Sequence, residues 1–221
     1  MKLLILTKKR LPLLIAIICC IELSIYLWSV WTSTLNLNNF FAIQSEFIFD
    51  KCARLAGRIS SFLILITLFM VGYYGMKYIY NNEKIKESFL ILIILFTCNH
   101  LIHLLFVILR FRSHDDSISI HGPLEIGGTI HGIITFSSIV IIPFIIWNYK
   151  RLSKFLYFVI ILHLLNISCF IIKTFLSKVK PPEHPAYHNQ FGIAIICAAC
   201  IYILYRVYVE NKKNAPVNNY Y

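Results

Sequence analysis

The sequence contains few charged residues, and this scarcity decides the class of protein. Only 14% of its 221 residues are Asp, Glu, Lys or Arg, whereas 58% are hydrophobic and the mean hydropathy is +0.72. A typical soluble domain has about 25% charged residues. The composition therefore excludes an ordinary water-soluble enzyme and indicates an integral membrane protein.

The sequence also lacks several motifs, and their absence excludes some classes of function. The chain has no G-x-G-x-x-G run, so it does not predict a nicotinamide or flavin site of its own. Its seven cysteines are an odd number, and six lie in apolar segments, which argues against a disulfide framework. Cys197 and Cys200 form a C-x-x-C inside such a segment, where packing is the favoured role. No nucleic-acid signature is present, so no nucleic-acid partner is expected.

Six apolar segments are long enough to cross a bilayer, which takes about 20 helical residues. The connections between these segments are short, except for a predicted loop over residues 32–58. They therefore leave no room for a separate soluble domain. The sequence thus predicts an all-α fold, a single bundle of six transmembrane helices over residues 1–221. The predicted spans are 11–31, 59–80, 87–110, 126–148, 154–175 and 190–209.

The basic residues predict the orientation of the bundle. With the N terminus inside, thirteen Lys and Arg residues lie at the inner ends of the spans and eight at the outer ends. Because basic residues favour the cytoplasmic side, both termini are predicted to be cytoplasmic. The basic inner rim also suits an anionic lipid surface, so membrane lipid is the expected partner of the positive charge.

Four histidines lie within the predicted spans: His100 and His103 on the third, His131 on the fourth and His163 on the fifth. Ionisable side chains are costly inside a membrane and usually face the bundle interior, so each is a candidate functional residue. Glu22, in the first span, is for the same reason a candidate proton-relay residue, a partner of a neighbouring histidine, or a protonated carboxyl group bonded to the backbone. The remaining histidines fall in predicted outer loops, where solvation is the ordinary role; they are His114, His121, His184 and His188.

Counting residues along ideal helices places the span histidines in depth. From the inner ends, His103 lies about 24 Å up, His100 about 20 Å and His163 about 14 Å. His131 lies five residues below the outer end of its helix, which brings it to a level similar to that of His103. The outer half of the bundle is thus predicted to gather three imidazoles, with His163 beneath them.

Three explanations compete for this cluster. Imidazoles from facing helices are common axial ligands of membrane b-type haem. They are also the commonest ligands of zinc and other transition metals. Alternatively, they form interhelical hydrogen bonds with nothing bound. The glycines around His131, at 127, 128 and 132, leave room for a flat macrocycle or equally for a close-packed helix.

Three short runs resemble the ferric reductase-like transmembrane family, which includes the haem-binding membrane subunit of the bacterial periplasmic methionine sulfoxide reductase system. They are RLAGRISS from Arg54, NHLIHL from Asn99, and WNYKRLSKFLY from Trp147, which leads to His163. The resemblance covers residues 54–176. It implies a six-helix protein that carries haem b and passes electrons across a membrane, with His103 and His163 as axial ligands.

Residue depth instead pairs His103 with His131, and both pairings stay open at this point.

The leading hypothesis is a haem b protein with one haem, or two, and with His100 near the site. It would serve as the membrane electron-transfer subunit of an oxidoreductase in a bacterial inner membrane, reduced by a partner protein or by quinol. The alternative is a non-redox membrane protein, a transporter or metal-dependent enzyme, that uses the histidines as an outer-facing metal site or proton path. An assembly subunit whose histidines only pack is the third possibility.

Overall fold

A computed structural model of the protein describes residues 6–34, 44–114, 129–148, 153–176 and 187–213. These residues are almost entirely helical, and no strand occurs among them, which confirms the all-α class. A 3₁₀ turn, Lys8–Arg10, precedes the first helix. The α-helices are α1 Leu11–Thr34, α2 Gln44–Tyr74, α3 Met76–Asn81, α4 Glu83–His114, α5 Thr129–Asn148, α6 Lys154–Leu176 and α7 Tyr187–Lys213.

Helices α2 and α4 form the centre of the bundle and make its most extensive pairing. Helix α1 packs on one side of this pair, and α5, α6 and α7 pack on the other, with α6 between its two neighbours. The largest fully buried side chains include Leu68 of α2, Phe96 of α4, Ile142 of α5 and Leu164 of α6. One hydrophobic core therefore joins the helices.

The first helix is fastened to the start of α4. The backbone N–H of Leu6 donates to Ser88 Oγ at 2.9 Å, and that hydroxyl also donates to the carbonyl of Leu6 or of Lys84. The backbone N–H of Lys8 donates to the carboxylate of Glu87. These contacts set α1 parallel to α4, with both helices beginning at one end of the bundle. We call this the Lys8 end.

The opposite end, which we call the Asp50 end, is held by ion pairs. The Asp50 carboxylate lies 2.6 Å from Nε of Arg54, on the same helix, and 2.8 Å from a guanidinium nitrogen of Arg110 on α4. These pairs stabilise helical structure where the sequence predicted a loop. The predicted boundary at residue 59 was therefore wrong, since α2 already begins at Gln44.

The second predicted span also ends differently. It was expected to continue to residue 80, but α2 stops at Tyr74, and Gly75 adopts a φ of 75° before α3 begins. This left-handed conformation favours glycine because it has no Cβ. The break turns the chain into α3 and then into α4, whose N terminus is capped by Asn82 Oδ1, 3.2 Å from the N–H of Ile85.

Five helices in the described part of the chain are long and apolar enough to cross a membrane, which indicates an integral membrane protein. These segments are Lys8–Thr32, Ile48–Tyr74, Glu83–Arg110, Lys154–Lys173 and Gln190–Asn211. In α5 the apolar stretch Ile133–Asn148 is shorter than the others, and Pro143 lies inside the helix. Large apolar side chains such as Trp31, Phe144 and Phe155 remain exposed on the bundle surface, as expected of a surface that faces lipid.

Candidate functional site

His100 lies in the interior of the bundle, among aromatic rings. His100 is 7% exposed. The centroid of its ring lies 5.4 Å from the ring centroids of Phe96 and His103 and 6.0 Å from that of Phe136 on α5. Its Nδ1 is buried without a hydrogen-bond partner in the described part of the chain. A buried polar atom of this kind is costly unless something satisfies it, so it marks a candidate site.

His103, one turn further along α4, is turned towards α2. Its Nδ1 lies 2.8 Å from the carbonyl oxygen of Ala53, which can only accept, so Nδ1 carries the proton and the lone pair of the neutral ring is on Nε2. A Cβ added at Gly57 would lie 3.0 Å from Cε1 of His103, so this glycine makes room for the ring. A backbone acceptor on one ring nitrogen is the usual second-shell arrangement of a metal-binding histidine.

Asn99 connects the same two helices beside the histidines. Its side-chain amide donates to the carbonyl of Ala56 at 2.9 Å and to Ser60 Oγ at 2.8 Å, and the residue is completely buried. Its Oδ1 has no partner among the described residues. The sequence alone predicts no role for Asn99 or Ser60; the signal that points to both is a polar residue within an apolar run.

His163 of α6 makes a comparable contact with α5. Ser138 Oγ donates to the carbonyl of Ile134 at 2.6 Å and lies 3.1 Å from Nδ1 of His163. Since the hydroxyl proton is used on Ile134, Nδ1 of His163 is the donor and its Nε2 carries the lone pair. This imidazole is half-buried, and its hydrogen bond holds it against α5.

Two hydrogen bonds fix the relative heights of these helices. Thr97 Oγ1 of α4 donates to the carbonyl of Ile139 on α5 at 3.1 Å, and the adjacent Ser138 contacts His163. His163 is therefore level with Thr97. His103 is six residues beyond Thr97, so it lies about 9 Å nearer the Asp50 end.

His131 lies nearly level with His103. It is eight residues from Ile139, the partner of Thr97, in the direction of the Asp50 end, which corresponds to about 12 Å. Its backbone belongs to α5, whereas its side chain lies outside the described part. The backbone of His131 is therefore within about 3 Å of the level of His103 along the bundle axis.

These observations bear on the fit of a haem. Two axial ligands approach one iron from opposite sides at similar depth, so the level of His131 fits His103 and the level of His163 does not. The tautomer of His103 leaves its lone pair on Nε2, and in this structure the ring, Nε2 included, lies against Gly57 of α2. Phe136 stands beside His100 where α4 faces α5. Within the described ranges, no three His, Cys, Asp or Glu side chains are grouped to hold a metal ion.

Glu22 lies on the buried face of α1, with Ile18 and Ser29, and is 3% exposed. Both its carboxyl oxygens are buried and have no hydrogen-bond partner among the described residues. The structure therefore places the predicted relay residue inside the protein. Two of the loop histidines, His121 and His184, lie outside the described residues, and the side chains of His114 and His188 are likewise outside the description.

Comparison with known proteins identifies no relative. No protein-family model, curated protein or solved structure matches the chain.

Proposed function

We propose that this protein crosses a bacterial inner membrane six times, binds haem b in the half of the bundle near the Asp50 end, and passes electrons across the membrane. Helix α5 is the sixth span in this proposal, because its 20 residues extend about 30 Å. Both termini are then cytoplasmic, as the distribution of basic residues favours.

One observation carries the proposal: counted from the hydrogen bond between Thr97 and Ile139, His103 and His131 differ by only about 3 Å in level on neighbouring helices. We assign these two residues as the axial ligands of one haem. The resemblance implies His103 with His163 instead, and the 9 Å difference in level, about two helical turns, weighs against that pair. A second haem would need a further ligand pair, so we propose one.

The chain's own residues would position the ligand. Ala53 accepts the Nδ1 proton of His103, which orients the ring and fixes the tautomer. Gly57 lets the ring lie close to α2, and Asn99 ties α4 to α2 one turn away through Ala56 and Ser60. Bound haem would supply one-electron redox chemistry at a potential set by its ligands and burial.

The electrons must come from outside the chain. Since the sequence contains no nicotinamide or flavin fingerprint, the donor in this proposal is a redox partner protein or quinol. The protein would then act as the membrane electron-transfer subunit of an oxidoreductase, with its acceptor at the Asp50 end.

Optical spectroscopy of the purified full chain tests this function. We expect sharp visible bands after reduction with dithionite and close to one haem per chain by solvent extraction, because two imidazole ligands give a low-spin haem. A folded, monodisperse protein without haem, purified from cells supplied with a haem precursor, would contradict the proposal. A stoichiometric metal in such a protein would favour the non-redox metal-site alternative.

A further inference from the structure

Glu22 is the most costly buried group that the proposed electron transfer does not use. Its carboxyl group lies between α1 and the central pair of helices, with both oxygens buried and unpartnered among the described residues. An ionised carboxylate without a partner is strongly disfavoured in an apolar interior. The sequence nevertheless places a glutamate here rather than one of the apolar residues that fill the rest of α1.

Two contacts with neighbouring helices give the level of Glu22. The backbone N–H of Lys8 donates to Glu87 of α4, and the two helices are parallel. Glu22 is fourteen residues beyond Lys8, and Leu101 is fourteen residues beyond Glu87, so the two lie at a similar level. Ile25, one turn beyond Glu22, packs against the cluster of Cys52 and Ala53 from α2 and Phe106 from α4. The carboxyl group thus belongs to the region where α1, α2 and α4 meet.

Two other unpartnered atoms lie at almost the same level. Asn99 Oδ1 and His100 Nδ1 are both buried without a hydrogen-bond partner in the described part of the chain. They are two residues and one residue before Leu101, which is about 3 Å or less along the helix axis. The amide group of Asn99 is held in orientation by Ala56 and Ser60, so its oxygen cannot turn away without the loss of both bonds.

The chemistry of these atoms shows what would satisfy them. An ionised Glu22 and Asn99 Oδ1 offer only acceptors, so this pair of side chains lacks a donor. A proton on the carboxyl group supplies a donor and removes the charge. A calcium or magnesium ion would need six or more ligands, mostly oxygens, and these two side chains provide three. A water molecule commonly bridges buried polar groups that do not reach one another directly.

We propose that Glu22 is a proton-binding site inside the membrane, and that a buried water molecule links its carboxyl group to Asn99 Oδ1. Only the O–H bond of the carboxyl group forms and breaks, and the proton is exchanged with water. The titratable groups near its level on the neighbouring helices are Cys52 on α2 and Cys98, His100 and His103 on α4. Arg58 of α2 is exposed, and Glu22 forms no ion pair within the described ranges. The site does not require haem.

Infrared spectroscopy of the purified full chain at neutral pH tests the site. We expect a carbonyl stretch of a protonated carboxyl group that shifts in D₂O and on ¹³C-glutamate labelling. The band should be lost in Glu22→Gln and kept in Glu83→Gln, the same change at an exposed residue of α4. In Asn99→Leu the band should change frequency, because the bridging water loses one acceptor.

Three results would overturn the proposal. The first is the absence of a glutamate-labelled carboxylic-acid band from the folded protein. The second is a band that Glu22→Gln leaves unchanged. The third is a band that appears only when sodium is replaced by choline, which would show that an alkali cation, not a proton, occupies the site. If Glu22→Gln fails to fold, the band of the labelled wild-type protein and its frequency change in Asn99→Leu test the proposal instead.

Discussion

Replacing His103 or His131 with alanine is expected to remove most of the haem from the purified protein. We expect haem content to fall at least about tenfold, since the loss of a second-shell partner alone costs about 10- to 100-fold in metal affinity. His163→Ala should retain most of its haem, because this residue lies about two turns from the level of His103. Haem extraction from equal amounts of monodisperse protein provides the comparison.

A chemical rescue separates ligand loss from misfolding. Free imidazole should restore the low-spin spectrum of His103→Ala and His131→Ala, since it supplies the missing nitrogen, whereas a misfolded protein would not respond. If His163→Ala loses haem and His131→Ala keeps it, the pair implied by the family resemblance is correct and our assignment of ligands is wrong.

Replacing Gly75 with alanine is expected to destabilise the folded protein by about 2 to 4 kcal/mol. The backbone of Gly75, with a φ of 75° and a ψ of 145°, costs an L-residue about 1 to 3 kcal/mol. The added Cβ would also meet the carboxylate of Glu210 on α7. That carboxylate accepts from Tyr157 OH at 3.0 Å and lies 3.4 Å from Nε of Arg206, so displacing it adds about 1 kcal/mol.

A double-mutant cycle checks the cause of this loss. In a Glu210→Ala background the carboxylate that meets the new Cβ is absent, so Gly75→Ala should cost only the backbone strain, about 1 to 3 kcal/mol. Unfolding in mixed micelles, followed by helical circular dichroism, measures all four proteins. Equal costs in both backgrounds would show that contact with Glu210 is unimportant.

Most of the helices could be predicted from the sequence because long apolar runs indicate membrane-spanning helices. Helices α1, α4, α5, α6 and α7 begin and end within four residues of the expected spans. The errors occurred where charge or a single glycine decides the outcome. Hydropathy excluded residues 44–58 from a helix, since it does not register that Asp50 is paired with both Arg54 and Arg110. Nor does it identify Gly75 as the end of α2.

The order of the histidines along the bundle axis could be expected from the sequence, but their contacts could not. Counting along ideal helices placed His103 and His131 together with His163 beneath them, and the hydrogen bonds of Thr97 and Ser138 give the same order. Counting cannot show that His103 faces Ala53. That contact depends on the rotation of α4 about its axis, which the packing of all neighbouring helices determines. The haem, the donor and the acceptor stay predictions.

The most direct test of the proposed ligand pair is electron paramagnetic resonance of the ferric protein. We predict a low-spin signal typical of two imidazole ligands in the wild-type protein and in His163→Ala. Any haem that remains in His131→Ala should give a high-spin signal, because one axial ligand is missing. A low-spin signal that persists in His131→Ala and is lost in His163→Ala would contradict the claim that α4 and α5 hold the haem.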